Sequence, residues 1–207
     1  MAHFIALDIE TTGLDQFSDE ILEIGVVSLD QHFKPLRAKS WLTCSKERLD
    51  KIFRNIDRTV IDMHRTSGLI KDINWNHLPI DPVKISEEIT AFIVEESEDK
   101  ALPMVGSSIS FDRGFLAQSP HWRGILDVIH YRSVDATSIL LAHQALLGTI
   151  EDPDLVALEL EAIAYQQNVE RNEMFRELPP EFLRVAHRPI FDALNSAALI
   201  RAVFGRR

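Results

Sequence analysis

Asp8 and Glu10 stand two residues apart within Phe4 to Asp15, FIALDIETTGLD, the stretch whose residue types and spacing point most directly to chemistry. Phe4 to Leu7 is an apolar run of the kind that forms a central strand buried on both faces, and the two acids close it. Strand side chains alternate, so both carboxylates project from one face while Ile9 points into the opposite layer. Like charges held together at the end of a buried strand repel and lose hydration, which is costly unless a cation or a proton neutralises them. A divalent metal is the natural remedy. Oxygen-only ligands suit the hard ions Mg²⁺ and Mn²⁺, and Thr11, Thr12 and Gly13 give a tight exit that lets a substrate approach. The alternative is that the pair caps a helix or meets surface arginines, but surface carboxylates rarely follow four consecutive apolar residues.

Two later segments carry the further groups such a site needs. Leu102 to Val105 is a short buried strand, followed by the turn Gly106-Ser107-Ser108 and a helix containing Asp112. A strand, small-residue turn and helix in that order set backbone N–H groups and a positive helix end beside a phosphate, and bring Asp112 near the end of an adjacent strand. The final helix, from about 186 to 204, carries His187 and Asp192 in H-R-P-I-F-D. Five residues on a regular helix is ~500° of rotation, which leaves the two roughly 140° apart. Pro189 offers a way round this. Proline is well tolerated in a first turn, which puts His187 on the entering segment and Asp192 on the helix.

In D-x-E-T-T-G-L the chain resembles the first motif of the DEDD superfamily of 3′–5′ exonucleases, whose fold is ribonuclease H-like. Residues 106–116, G-S-S-I-S-F-D-R-G-F-L, are similar to the oligoribonuclease form of the second motif, G-N-S-x-x-x-D-R-x-F-L, and H-x-x-x-x-D matches the third motif of the DEDDh branch. M-H-R-T-S-G-L (63–69) and H-Y-R-S-V-D-A-T (130–137) are likewise similar to oligoribonuclease segments. The resemblance implies an α/β, ribonuclease H-like fold: a mixed five-stranded sheet with helices on both faces. It implies two ions, Mg²⁺ or Mn²⁺, held by Asp8, Glu10, Asp112 and Asp192, with His187 as the base that takes the proton of the attacking water. Products would then be 5′-mononucleotides. A base must be neutral to act, and ordinary imidazole titrates near ~6.5, so activity rising through the neutral range is expected.

For the substrate, the resemblance implies that Leu14 wedges between bases, that Ser108 lies in the phosphate-binding turn and that His64 contacts the far phosphate of a dinucleotide. Tyr131 and Arg132 would reach across a homodimer interface to close off the 5′ phosphate, where a guanidinium can bind a terminal phosphate in bidentate fashion. Leu14 folded back onto the core is the alternative for that residue. The chain departs from the family at Thr59, where a tryptophan is usual, and at residues 149–180, where relatives have a much shorter loop. That insertion is acidic, and its Leu155, Leu158 and Ala162 spacing suggests an amphipathic helix that rims the substrate entrance or thickens a subunit interface.

The elements that must position these groups follow from the patterns between them. Ile21 to Leu29 and Leu36 to Thr43 read as a hairpin beside the first strand, residues 57–74 as helical, and Pro82 to Ser97 as a helix with an apolar stripe of Val83, Ile89, Phe92 and Ile93 opposite a solvated glutamate face. His130 to Thr137 reads as the last strand, leading into a helix from Ser138 to Leu147. At 207 residues, with nothing marking a linker, residues 1–207 are expected to form one domain interrupted by the 149–180 insertion. No apolar run approaches the ~20 residues a membrane span needs, the first apolar stretch is too short for a signal core, and a single cysteine, Cys44, fits a reducing compartment such as the cytoplasm.

A net charge of −10 argues against gripping long nucleic acid through its phosphates, which calls for a broad basic face. Three functions compete: an enzyme finishing short single-stranded RNA or DNA, a DEDDh exonuclease working on longer strands, and a catalytically silent nucleic-acid-binding protein. The acidic balance with His64, Tyr131 and Arg132 favours the first, and an intact set of four acids and a histidine disfavours the last.

Overall fold

In the computed structural model, which describes residues 1–76, 79–147 and 187–205, the apolar ribbon Phe4–Thr11 (β1) runs through the middle of a five-stranded sheet. Its neighbours are Ile21–Leu29 (β2) and Leu102–Gly106 (β4), with Pro35–Leu42 (β3) and Ile129–Asp135 (β5) at the edges, in the order β3-β2-β1-β4-β5. The first two pairings, β1 with β2 and β2 with β3, are antiparallel; β1 with β4 and β4 with β5 are parallel. This is the mixed ribonuclease H-like sheet expected. The strand continues past Leu7 to Thr11, so Asp8 and Glu10 lie within it and their alternation is fixed by pairing with Gly25 and Glu23 of β2.

Helices cover both faces, as the two-sided burial of β1 requires. Ile5, Leu7 and Ile9 pack with Pro82–Ser97 (α4) and Ser110–Gln118 (α5), through Ile89, Phe92, Ile93, Phe115 and Leu116. Ala6, Val27 and Val105 on the other face meet Ala136–Leu147 (α6) and Pro189–Gly205 (α7), through Ala136, Ile190, Ala193, Leu194 and Ala197. Asp8 and Glu10 share the parity of Ala6 and so open toward α7. Fully burying side chains such as Ile190 and Leu194 stabilises this docking by ~1.5–3 kcal/mol each.

Several boundaries differ from the sequence pattern for identifiable reasons. Residues 57–74 are two helices, Arg58–Thr66 and Leu69–Trp75, because Gly68 turns left-handed at φ 80° between them. They are preceded by a further helix, Lys46–Ile52, capped by Ser45; in chain order these three are α1 to α3. The last helix starts at Pro189, not near 186. The α4 helix occupies its expected span because Asp81 accepts from the amides of Val83 and Lys84 and Pro82 takes the first position. Its glutamates are not all free in solvent: Glu95 and Glu96 pair with Arg37 of β3, and Glu96 also accepts from Ser28. The insertion at 149–180 lies outside the described residues.

Candidate active site

On β1 the cluster begins where β4 leaves it. Parallel pairing ends at Ala6 and Val105, so the amide of Ile9 would go unpaired toward that side. Asp112 fills the gap. It reaches from the first turn of α5 to accept the Ile9 N–H on Oδ1 at 3.2 Å, and is itself only 3% exposed. The third acid is thus fastened to the strand that carries the first two. The fourth arrives from α7. Oxygens of Asp8, Glu10 and Asp192 come within 4.8 Å of one another. Ligand distances to Mg²⁺ are about 2.0–2.1 Å, so the three carboxylates stand close enough for small side-chain shifts to bring one oxygen of each to a shared hard divalent cation.

Glycine makes this approach possible. A Cβ at Gly25, the β2 partner of Asp8, would lie 2.6 Å from Pro189 Cβ and 2.9 Å from the Ile190 amide nitrogen, so the first turn of α7 can sit on β2 only if that side chain is missing. His187 precedes the helix, exposed and left-handed at φ 63°, and its backbone N–H donates to Asp192 Oδ2 at 3.0 Å. The expectation that Pro189 separates the histidine from the helix therefore holds. Between them, Arg188 is 1% exposed and bonds to Glu23 and Asp72.

The electrostatics are those of acids crowded together out of water. Burial first, then Asp112, Asp192 and Glu10, hold the Asp8 carboxyl well above the usual range. Glu10 is pushed up to about 8 by burial, with Asp192 and Glu23 adding and Arg188 opposing. Asp192 is pushed up to about 6 by burial, against the pull of His187. Burial also raises Asp112, although its hydrogen bonds work the other way. Acids that cannot comfortably ionise together are those a divalent cation stabilises most.

The expected substrate residues divide. Leu14 is 85% exposed, so it does not fold back onto the core; Phe17 on the same loop is exposed too. Asp19 braces this loop, accepting from Thr12 Oγ1 at 3.0 Å and from the Asp15 amide at 2.9 Å. Ser108 is exposed and left-handed at φ 56° in the turn before α5, whose Ile109 amide is already taken by Asp135. Tyr131 and Arg132 lie on the edge strand. Pairing jumps from Pro103–His130 to Met104–Ser133, so the two form a bulge that turns them out of the ladder, with the guanidinium over the phenol ring. Within one chain they stand two strands from β1, away from the acids.

His64 corrects its expectation. It is 1% exposed, with Nε2 2.8 Å from the Thr11 carbonyl and Nδ1 facing Glu10 at 3.7 Å. A phosphate contact would need an uncovered ring; this one braces the end of β1 behind Glu10. The carbonyl acceptor requires Nε2 to carry the proton, and burial lowers the ring's pKa, which favours the neutral form. Arg188 and Glu23 are the residues that sequence reasoning missed. The available signal was Glu23 itself, a charge inside the otherwise largely apolar run ILEIGVVSL.

A β1 strand carrying two acids, a third tied to it from α5 and a fourth on the last helix make this a ribonuclease H-like exonuclease fold of the DEDDh type. Solved structures agree on the fold: E. coli ExoI in its zinc-bound complex with ssDNA (TM-score 0.59, 11% identity, 99% of this chain and 40% of that one) and S. pombe Pop2p in its Mg²⁺- and Mn²⁺-bound form (0.58, 13%, 99% and 84%). No family model matches the chain. Among curated proteins, the oligoribonuclease of Pseudoalteromonas translucida is 30% identical over 138 residues, covering 67% of this chain and 73% of the relative. That of Tropheryma whipplei is 29% identical over 138 residues, 67% and 71%. The chain belongs to the oligoribonuclease family of 3′–5′ exonucleases.

Proposed function

We propose that the protein removes nucleotides from the 3′ end of short single-stranded RNA, releasing 5′-mononucleotides. The convergence of Asp8, Glu10 and Asp192, with Asp112 fastened to the same strand, carries this reading. These four would hold two Mg²⁺ or Mn²⁺ ions, which when bound supply an activated water and balance charge on the departing 3′-oxygen. The chain's own part is placement and proton transfer. His187, exposed beside Asp192, takes the proton of the attacking water; the bond from phosphorus to the 3′-oxygen breaks, and the phosphate stays with the released nucleotide.

Leu14 wedges between substrate bases and Ser108 receives phosphate in its turn. The working unit is a homodimer in which Tyr131 and Arg132 of one copy close the other's pocket. Their outward bulge supports this, as do the exposed Leu141 and Leu146 on neighbouring α6. The chain is read as one domain, 1–207, with the insertion at about 149–180. Among the described residues no helix is long and apolar enough to cross a membrane.

Digestion of end-labelled RNA and DNA of two to twenty nucleotides with Mg²⁺ or Mn²⁺ tests the reading. Rates should peak at two nucleotides and favour RNA; rates indifferent to length would indicate a long-strand exonuclease instead. In the same assay His187→Ala should lose turnover by ~10²–10⁴-fold while still binding Mn²⁺, and full activity would remove its role as base. A monomer by sedimentation that still cleaves dinucleotides would remove the role given to Tyr131 and Arg132.

A further inference from the structure

Arg188 is the bulkiest of the fully buried side chains among the described residues, and it is charged. Its Nε and Nη2 donate to Glu23 Oε2 and Oε1 at 2.8 and 3.0 Å, and Nη1 donates to Asp72 Oδ2 at 2.6 Å. Glu23 is 1% exposed and also accepts from Ser40 Oγ at 2.5 Å. The guanidinium thus ties the start of α7 to β2 and to α3. Stability does not account for such a group, because replacing a buried ion pair by well-packed apolar residues is often neutral or favourable.

Its location does account for it. Arg188 is the residue between His187 and Pro189, and its carbonyl accepts the Asp192 amide at 3.1 Å. Glu23 is the β2 partner of Glu10, so the bidentate pair lies directly beside the acid cluster. Asp72 belongs to α3, which is joined through Gly68 to the helix whose His64 braces Glu10. One planar fork therefore joins the segment that carries His187 and Asp192 to the strand paired with Glu10 and to α3, something a flexible point charge such as lysine does not reproduce.

We infer that Arg188 is a positioning residue, clamped by Glu23 and Asp72, which fixes the start of α7 so that Asp192 meets Asp8 and Glu10 with His187 alongside. This rests on the cluster being a nuclease's metal site. Asp72 is the accessible arm of the clamp, its side chain 35% exposed, so it can be cut with little risk to folding.

The test uses Arg188→Lys and Asp72→Asn in the full chain, with three readouts: exchange of the His187 and Asp192 amides without metal, Mn²⁺ affinity by calorimetry, and kcat and KM on a diribonucleotide. Groups behind metal ligands typically contribute ~10–100-fold to affinity or activity. Arg188→Lys should therefore weaken Mn²⁺ binding and lower kcat by about 10-fold or more with KM little changed, and speed exchange at both amides. Asp72→Asn should shift all three in the same direction by less, and it carries the test alone if Arg188→Lys does not fold. Variants that lower Tm while keeping Mn²⁺ affinity, amide exchange and kcat would overturn the proposal, leaving the clamp a structural anchor. If the wild type binds Mn²⁺ but cleaves nothing, the nuclease reading fails, and the clamp stands or falls on exchange and Mn²⁺ binding.

Discussion

Replacing Asp8 by asparagine should abolish hydrolysis and, in the same protein stripped of metal, raise the melting temperature. Both follow from one crowded spot. Asp8 faces Glu10 and Asp192 within 4.8 Å, and Asp112 and Glu23 add further negative charge. With no cation present, one fewer carboxylate relieves repulsion and desolvation at almost constant shape. A gain of ~1 kcal/mol at pH 8 would lift Tm by roughly 2–4 °C for a chain of this size. Catalysis should suffer the opposite fate, because the proposed function makes the lost oxygen anion a metal ligand; the fall should exceed the ~10–100-fold typical of groups behind the ligands. Mn²⁺ should also stabilise the variant less than the wild type. Thermal melts in EDTA and in Mn²⁺, beside release of mononucleotides, check all three outcomes. A variant destabilised equally with and without metal would make Asp8 an ordinary structural acid.

Much of this site could be read in the chain because each acid is announced by its immediate neighbours. Asp8 and Glu10 stand in a strand whose alternation settles their shared face, and Pro189 separates His187 from the helix that carries Asp192. Asp112 was legible as the acid after a small-residue turn, but not the reason it stays put, since its bond to the Ile9 amide depends on where β4 stops pairing. Local pattern failed where contacts span the chain. The resemblance assigns His64 to a phosphate; only the packing of its helix against β1 shows its ring inside, on the Thr11 carbonyl. Glu23 and Arg188 are 165 residues apart, and no periodicity pairs them. The break at Gly68 illustrates a milder limit: the glycine is visible, but a helical pattern on both sides conceals the left-handed turn between them.

The same crowding of buried acids makes stability depend on pH and metal together. Glu10, pushed up to about 8, and Asp192, pushed up to about 6, each hold a proton more tightly in the folded chain than in the unfolded one, as do Asp8 and Asp112. Between pH ~4.5 and ~8 the metal-free fold therefore binds more protons than the unfolded chain, and stability falls as pH rises. It is fully present below the unfolded values and lost through the folded ones, the reverse of a salt-bridged carboxylate. On the proposed function divalent cations would replace those protons, so their stabilising effect should grow over the same window as binding displaces protons. Metal-free melts from pH 5 to 8 should fall; a loss of ~2 kcal/mol corresponds to roughly 4–8 °C. With saturating Mn²⁺ the curve should flatten or rise, and calorimetry in buffers of different ionisation enthalpy should detect proton release on binding. A metal-free protein equally stable across this range, with no protons released by Mn²⁺, would mean that these acids are already balanced by groups within the chain and have no need of a cation.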